Sequence, residues 1–225
     1  MAEGEGFFLL TSVAGALAAP LEAGAQQAGR VYRIAYLGNS SAALEAELVS
    51  AFREGLRDLN YVESRNVVIH YRWAERQYNR FPALVAEAVQ LKVDVIVTAG
   101  TPAVLAAKGG TRTIPIVVAA MGDPIAAGVV PSLAHPGGNI TGSASMSLEI
   151  DGKRLELLKE MVPGASRIAV LWNPTNPNNV ARIAQMQEAA RILRLTLEPL
   201  LAAVDAQELD RGFAAIVTAR ADIQP

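Results

Sequence analysis

Four loops of small polar residues follow apolar segments of this chain, and their residue types suit ligand binding. The loops are 38–41 (GNSS), 99–102 (AGTP), 121–124 (MGDP) and 173–177 (NPTNP). Backbone N–H groups and hydroxyls near Ser40 and Thr101 can bind an anion such as a carboxylate. Asp123 is the single carboxylate in these loops, and it can pair with an ammonium group. Together these groups would suit a zwitterion such as an amino acid.

Each loop also has a purely structural interpretation, because Asn, Ser, Thr and Asp before a helix commonly cap its first turn. Thr101 can cap the helix that follows it, with Pro102 in the first turn, and Asp123 can be only a cap. We expect the four loops to lie at one sheet edge. The first three belong to one predicted lobe of the chain, 30–142, and the fourth to another, 143–225, which favours a binding cleft between the two lobes. The candidate ligand-binding residues in these loops are Asn39, Ser40, Gly100, Thr101, Pro102, Gly122, Asp123 and Asn173.

The elements that must position these loops alternate between strand-like and helix-like segments. The predicted strands are 31–37, 66–73, 93–98, 114–119, 140–142, 167–172 and 195–200. The predicted helices are 42–59, 80–91, 102–108, 125–133, 149–161, 178–193 and 206–219. Short β-branched runs such as 93–98 are typical of buried parallel strands. The alternation predicts an α/β fold with parallel sheets and right-handed crossovers.

Helical spacing predicts which side chains of these helices face the core. In the helix 42–59 they are Leu44, Leu48, Phe52, Leu56 and Leu59, and in 206–219 they are Leu209, Phe213 and Val217.

The chain divides near residue 142 into two α/β lobes, 30–142 and 143–225. The second lobe contains two predicted strands, whereas open sheets usually have four or more. We therefore expect the second lobe to be incomplete.

An apolar N-terminal segment precedes the first lobe. Residues 7–21 (FFLLTSVAGALAAPL) are uncharged, and the small-x-small pattern Ala23-Gly24-Ala25 follows. This pattern predicts a signal peptide, 1–25, and therefore a periplasmic or extracytoplasmic location. The segment is short for a membrane span. Its first residues, MAEGEG, are acidic rather than basic, so a surface tail is the alternative.

Residue patterns typical of enzymes are missing from the sequence. Neither a G-x-G-x-x-G after the first strand, nor a phosphate-binding loop, nor a G-x-S-x-G elbow with a plausible triad is present. Glu45 and Glu47 are too close on one helix for an acid–base pair and have the pattern of a solvated face. The sequence has no cysteine, and His70 and His135 are far apart. We expect no catalytic residues, no metal and no cofactor.

Composition is that of a soluble globular protein. The 225 residues are 51% hydrophobic and 19% charged, with a formal net charge of −2. No basic patch or Arg-rich helix is present, so we do not expect nucleic acid as a partner. We expect a monomer.

The chain resembles the ABC-transporter substrate-binding proteins of the tryptophan/tyrosine type. Matching stretches occur in family order, among them 52–62 (FREGLRDLNYV), 93–103 (VDVIVTAGTPA), 136–142 (PGGNITG) and 170–174 (VLWNP). The resemblance implies a type I periplasmic-binding fold, in which two Rossmann-like lobes close over a small ligand. Members deliver their ligand to a membrane permease, and some bind aromatic amino acids. By motif position, the family's cleft loops fall on Ser40, Thr101, Asp123, Thr141 and Asn173.

The resemblance, together with the signal-peptide pattern, therefore implies an extracytoplasmic solute-binding component of an ABC importer. Its partners would be a small ligand, such as an amino acid, and the permease subunits in the membrane. A cytosolic ligand-sensing or regulatory domain on the same fold is the main alternative, and a small-molecule enzyme of the α/β class is a third. Localisation would separate the first two, and substrate turnover would separate the third.

Overall fold

Strands and helices alternate along the chain in the computed structural model, which describes residues 30–145, 147–203 and 205–219. The first lobe contains β1 (Tyr32–Gly38), α1 (Ala46–Asp58), β2 (Val67–Trp73), α2 (Phe81–Gln90), β3 (Val95–Thr98), α3 (Thr101–Gly110), β4 (Ile116–Met121) and β5 (Ile140–Ala144). The second lobe contains α4 (Ser147–Met161), β6 (Arg167–Trp172), α5 (Pro177–Ile192), β7 (Thr196–Ala202) and α6 (Ala206–Ala219).

The five strands of the first lobe form one sheet in the order β2-β1-β3-β4-β5. Every neighbouring pair is parallel, so the carboxyl ends of the strands meet at one edge, where α/β folds bind ligands. One face packs with α2 and α3 around Phe81, Ile96 and Ile116. The other face packs with α1 through Phe52 and Leu56. The three predicted loops of the first lobe therefore leave the same edge of this sheet.

The second lobe is built on the parallel pair β6 and β7. Its core contains Leu155 of α4, Ile168 of β6 and Ile183 of α5. Asp151 of α4 is 2% exposed, and it accepts hydrogen bonds from Nε and Nη2 of Arg182, both at 2.8 Å. This ion pair fixes α4 against α5.

The architecture confirms the predicted α/β class with two parallel-sheet lobes. Both sheets lie in a compact unit that begins at Val31, and the boundary between residues 142 and 143 stays a prediction. The predicted signal peptide, 1–25, lies outside the described residues. Among the helices of the described residues, none has the length and apolar character needed to cross a membrane.

Helix α1 presents a different face to the sheet from the one that its leucines predict. Leu44 and Leu48 are each 63% exposed and Leu59 is 69% exposed, so the prediction that they face inward is wrong. The reason is that a buried carboxylate occupies the inner face and sets the rotation of the helix. The inward stripe has helical spacing and consists of Glu45, Val49, Phe52 and Leu56.

Two further predictions about helices are wrong. The segment 125–133 forms turns rather than a helix, because Gly128 adopts a φ of +65° and ends the turn that begins at Asp123. In α6, the predicted inward residues Leu209, Phe213 and Val217 are exposed. The inner face of α6 is formed by Ile216, which is buried, and by Gly212, which contacts Leu171 of β6.

Candidate functional site

A side-chain hydrogen bond from Asn39 connects the loop after β1 to the loop after β3. Its Nδ2 donates to the carbonyl of Ala99 at 3.0 Å, and its amide lies over Gly100, where a Cβ atom would be 3.3 Å from Asn39 Oδ1. Gly100 has a φ of +80°, which favours glycine, and its N–H donates to the carbonyl of Ala120 at 2.7 Å. The ends of β1, β3 and β4 therefore form one rim, and the structure brings Asn39 and Gly100 together there.

Helix α3 begins with hydrogen-bond donors that have no acceptor. Gly100, rather than Thr101, occupies the N-cap position, and no side chain caps the helix. Pro102 lies in the first turn, as predicted. Within the described residues, the N–H groups of Thr101 and Ala103 and the hydroxyl of Thr101 have no hydrogen-bond partner.

Thr101 is buried, with only 2% of its surface exposed. In the described part of the chain, the side-chain polar atom that is both sealed from solvent and unpartnered is Nε2 of His70. The hydroxyl of Thr101 is not among such sealed atoms, so it keeps a slight contact with solvent. Because the helix dipole and the free N–H groups act together at a helix N-terminus, such a position attracts anions. The start of α3 can hold a carboxylate.

Ser40, in contrast, has its donors occupied within the protein. Its N–H donates to Glu45 Oε1 at 2.7 Å, and its hydroxyl donates to the same oxygen at 2.9 Å. The phenol of Tyr36 donates to Glu45 Oε2 at 3.3 Å. Glu45 is 7% exposed, so the interpretation of Glu45 as part of a solvated face is wrong. An anion at this rim would meet the start of α3 rather than Ser40.

Tyr36 stays protonated beside this carboxylate. Burial first, and then the charge of Glu45 and the hydrogen bond to it, raise the pKa of Tyr36 to about 12. The phenol therefore remains a donor to Glu45 across the physiological pH range.

Asp123 caps the turn that follows β4. Its Oδ1 accepts from the N–H of Ile125 at 2.8 Å and from the N–H of Ala126 at 3.0 Å, so the capping interpretation applies to this oxygen. Its Oδ2 has no hydrogen-bond partner in the described part of the chain. One carboxylate oxygen of Asp123 is thus free to meet a cation.

Asn173 lies directly after β6, in a loop that its own side chains hold in place. Asn173 Oδ1 accepts from the N–H and the hydroxyl of Thr175 at 2.9 and 2.7 Å. The carbonyl of Asn173 accepts from Asn179 Nδ2 at 3.1 Å, and Asn176 Oδ1 caps α5 by accepting from the N–H of Asn178 at 3.1 Å. The second lobe therefore presents a well-fixed loop at the end of β6.

A cavity of about 580 Å³ adjoins Asn173 within the second lobe. Apolar side chains of α4, β6 and α5 line most of it, including Trp172. Arg154 and Arg182, which both bind Asp151, also line the cavity. Its volume lies in the range of small-molecule sites.

The remaining predicted residues, Thr141 and Gly122, lie in different surroundings. Thr141 lies on the edge strand β5 and pairs with Val117, three residues before β5 ends at Ala144, which is about 10 Å along a strand. The structure therefore does not bring Thr141 to the rim. Gly122 directly follows β4 and contacts the side chain of Asn178 in α5. This contact brings the second lobe to the rim of the first.

Sequence reasoning missed several residues that shape this rim. The N–H groups of Glu75 and Arg76 donate to the carbonyls of Ser40 and Asn39 at 3.2 and 2.8 Å, so the loop after β2 belongs to the rim. Both residues have positive φ values, 51° and 61°, which their residue types do not predict. The role of Glu45 could have been suspected from the sequence, because it is the one charged residue in the stretch 38–46. Among the described residues, no cluster of metal-binding side chains occurs.

The fold and the rim define a two-lobed α/β protein whose parallel strands end at a common edge facing the second lobe. The chain matches the family described as ABC transporter substrate binding protein over residues 40–220, and it belongs to this family. Its solved neighbours include periplasmic binding proteins, and the type I periplasmic-binding fold expected from the sequence is confirmed.

Three relatives illustrate the similarity. A curated tyrosine-binding protein of Clostridioides difficile is 34% identical over 140 residues, which are 62% of this chain and 40% of that protein. A conserved domain protein of Vibrio cholerae has a TM-score of 0.74 at 25% identity, over 87% of this chain and 64% of that chain. The ABC domain of Streptococcus pneumoniae in complex with L-Trp has a TM-score of 0.71 at 23% identity, over 86% and 64%. The chain thus spans less than two thirds of the length of these relatives.

Proposed function

We propose that this protein is the extracytoplasmic substrate-binding component of an ABC importer, that it delivers a small ligand to a permease, and that it performs no catalysis. Family membership supports the role. The predicted signal peptide, 1–25, supports the location. The same membership favours this role over a cytosolic sensor on the same fold.

The ligand that we propose is an amino acid. One relative is named a tyrosine-binding protein, and a structural neighbour was solved with L-Trp. The observation that carries the proposal in this chain is the set of unpartnered donors at the start of α3, from Thr101 and Ala103. These donors would bind the ligand carboxylate.

Asp123 would bind the ligand ammonium group through its free Oδ2. Neighbouring strands are about 5 Å apart, and β3 and β4, which lead to Thr101 and Asp123, are neighbours. One amino acid backbone can therefore reach both groups. The ligand-binding residues that we propose at this rim are Asn39, Gly100, Thr101, Pro102, Gly122 and Asp123, with Asn173 from the second lobe.

Calorimetric titration with matched ligands tests this assignment, after a thermal-shift screen of the common amino acids. L-Tryptophan carries both charged groups, 3-indolepropionic acid lacks the ammonium group, and tryptamine lacks the carboxylate. We expect L-tryptophan or L-tyrosine to bind more tightly than either indole analogue. If none of the amino acids shifts the melting temperature of the chain, the proposed ligand class is contradicted.

Two variants separate the roles of the two groups. Thr101→Val removes the hydroxyl with little change in shape, and it should weaken binding of the amino acid and of 3-indolepropionic acid by roughly tenfold to a hundredfold each, since a hydrogen bond to a charged group is worth about 1.5–3 kcal/mol. Asp123→Asn keeps Oδ1 as a cap and should weaken only the ligands that carry an ammonium group. If Asp123→Asn weakens the binding of all three ligands equally, Asp123 does not bind the ligand ammonium group.

A further inference from the structure

The start of α5 touches the loop after β4, and this contact joins the two lobes. Asn178 is the second residue of α5, and its side chain lies directly on Gly122. A Cβ atom at Gly122 would fall 2.5 Å from Asn178 Nδ2 and nearer still to Oδ1 and Cγ. Helices α3 and α5 of the two lobes also contact each other. The position of Gly122 therefore has no room for a side chain while Asn178 is in place.

We propose that Asn178 is a positioning residue for the ligand cleft, whose amide rests on Gly122 and holds the two lobes close together before the ligand binds. This inference rests on the proposed function. Gly122 precedes Asp123 in sequence, so the contact lies beside the oxygen assigned to the ligand ammonium group. Because this contact favours the closed arrangement before binding, it raises the population of that arrangement and thereby tightens ligand binding.

Hydrogen bonds hold the start of α5, which carries Asn178, against the loop after β6. The N–H of Asn178 donates to Asn176 Oδ1 at 3.1 Å, and the next side chain, Asn179, donates to the carbonyl of Asn173. The backbone around Asn178 is thus fixed to the end of β6, which leaves its amide directed at Gly122.

The contact at Gly122 differs from those of the other glycines in the described part of the chain. Gly100 contacts Asn39, and Gly110 contacts Val85, each within the first lobe. Gly212 contacts Leu171 within the second lobe. Of the glycines that the structure describes, Gly122 is the one whose nearest atoms belong to the other lobe. The absence of a side chain at Gly122 therefore allows the two lobes to come into contact at this position.

Spin labels on the two lobes measure the contact without a ligand. The chain has no cysteine, so Arg112→Cys and Gln187→Cys, at exposed positions of the first and second lobes, give one defined pair of labels. In this labelled 225-residue chain, Asn178→Ala should broaden the distance distribution toward longer values. Gly122→Ala should do the same, because its Cβ displaces the amide.

Affinity for L-tryptophan and L-tyrosine is the second readout. Each single variant should weaken binding roughly threefold to tenfold, which lies in the lower part of the range for one coupled contact. The double variant Gly122→Ala/Asn178→Ala should be no weaker than the single variants, because both remove the same contact. Gly55→Ala is the matched control, since a Cβ there meets nothing within 4 Å, and it should leave both readouts unchanged.

Unchanged label distances in both single variants, or additive losses of affinity in the double variant, would overturn the role of Asn178. Asn178→Ala only removes atoms, so it remains informative if Gly122→Ala fails to fold. A wild-type chain that binds no amino acid contradicts the proposed function separately, and the label distances still decide whether this contact holds the lobes together.

Discussion

Ser40 donates both its N–H and its hydroxyl to one carboxylate oxygen of Glu45, at 2.7 and 2.9 Å. The other oxygen of Glu45 accepts from Tyr36. A single buried carboxylate therefore holds the loop after β1 against α1 and determines which face of α1 meets the sheet. At the same rim, the start of α3 keeps donors that have no partner among the described residues.

Replacing Glu45 by Ala should destabilise the protein. The N–H of Ser40 would lose its acceptor in a nearly buried position, which costs about 2 kcal/mol and lowers the melting temperature by about 4–8 °C for a chain of this size. Glu45→Gln keeps one acceptor oxygen and should cost less. The measurement is thermal unfolding followed by circular dichroism.

Glu47→Ala is the matched control, because Glu47 is an exposed glutamate on the same helix. It should melt within error of the wild-type chain. Equal losses from Glu45→Ala and Glu47→Ala would show that the carboxylate of Glu45 does not hold the Ser40 loop.

Asp151→Asn should loosen α4 from α5. Burial alone would raise the pKa of Asp151, but the hydrogen bonds and charges of Arg182 and then Arg154 outweigh it, so the pKa lies below its ordinary value of 3.8. At pH 7 the variant should lose about 2 kcal/mol of unfolding free energy, measured by urea titration.

The sign of the pH dependence provides the check on Asp151. Since the unfolded chain binds this proton more readily, the stabilisation is complete above about pH 3.8 and is lost as the pH falls toward the folded pKa. The difference between Asp151→Asn and wild type should therefore shrink below pH 4. Glu188→Gln, which breaks the exposed pair with Arg191, should have little effect at any pH.

His70 should make the protein less stable in mild acid. Burial first, and then the charges of Arg33 and Arg72, lower its pKa from 6.5, and its Nε2 is sealed from solvent without a partner. The unfolded chain therefore takes up the proton first, so the contribution of His70 to stability is complete above about pH 6.5 and decreases as the pH falls through the folded pKa.

The variant His70→Val should melt at a more constant temperature between pH 7.5 and pH 5.5, with the gain over wild type largest at pH 5.5. Valine suits a strand and removes the unpartnered nitrogen. If the melting temperatures of wild type and His70→Val fall equally as the pH is lowered, groups other than His70 cause the acid sensitivity.

Most of the fold could be predicted because its signals are local. Short β-branched runs ending in glycine or proline mark the strands, and the runs between them have helical spacing. The rotation of α1 could not be predicted, because two stripes overlap on that helix, one led by Leu44 and Leu48 and one led by Glu45. Only the folded sheet brings Ser40 and Tyr36 to Glu45 and so selects the second stripe.

Part of the candidate site could likewise be predicted from the sequence, and part could not. That Asn39 and Gly100 meet follows from parallel strands, whose carboxyl ends share an edge. Thr141 lies away from that edge because the pairing of β4 with β5 places it beside Val117, and strand register is not visible in a single sequence. Asn178 meets Gly122 only through the arrangement of the lobes, for which the sequence contains no local signal.

Gly142→Ala should be among the most damaging substitutions in the first lobe. Gly142 has a φ of +145°, and a Cβ there would lie 2.7 Å from the backbone N and C atoms of Val118 and would overlap its carbonyl oxygen. Because backbone atoms of β4 cannot move aside as a flexible side chain can, we expect a loss of about 3 kcal/mol or more. Urea unfolding of the soluble protein measures it, with Gly55→Ala as a control that should be neutral or slightly stabilising. If Gly142→Ala unfolds at the same urea concentration as wild type, β5 does not pair with β4 as closely as the structure has it.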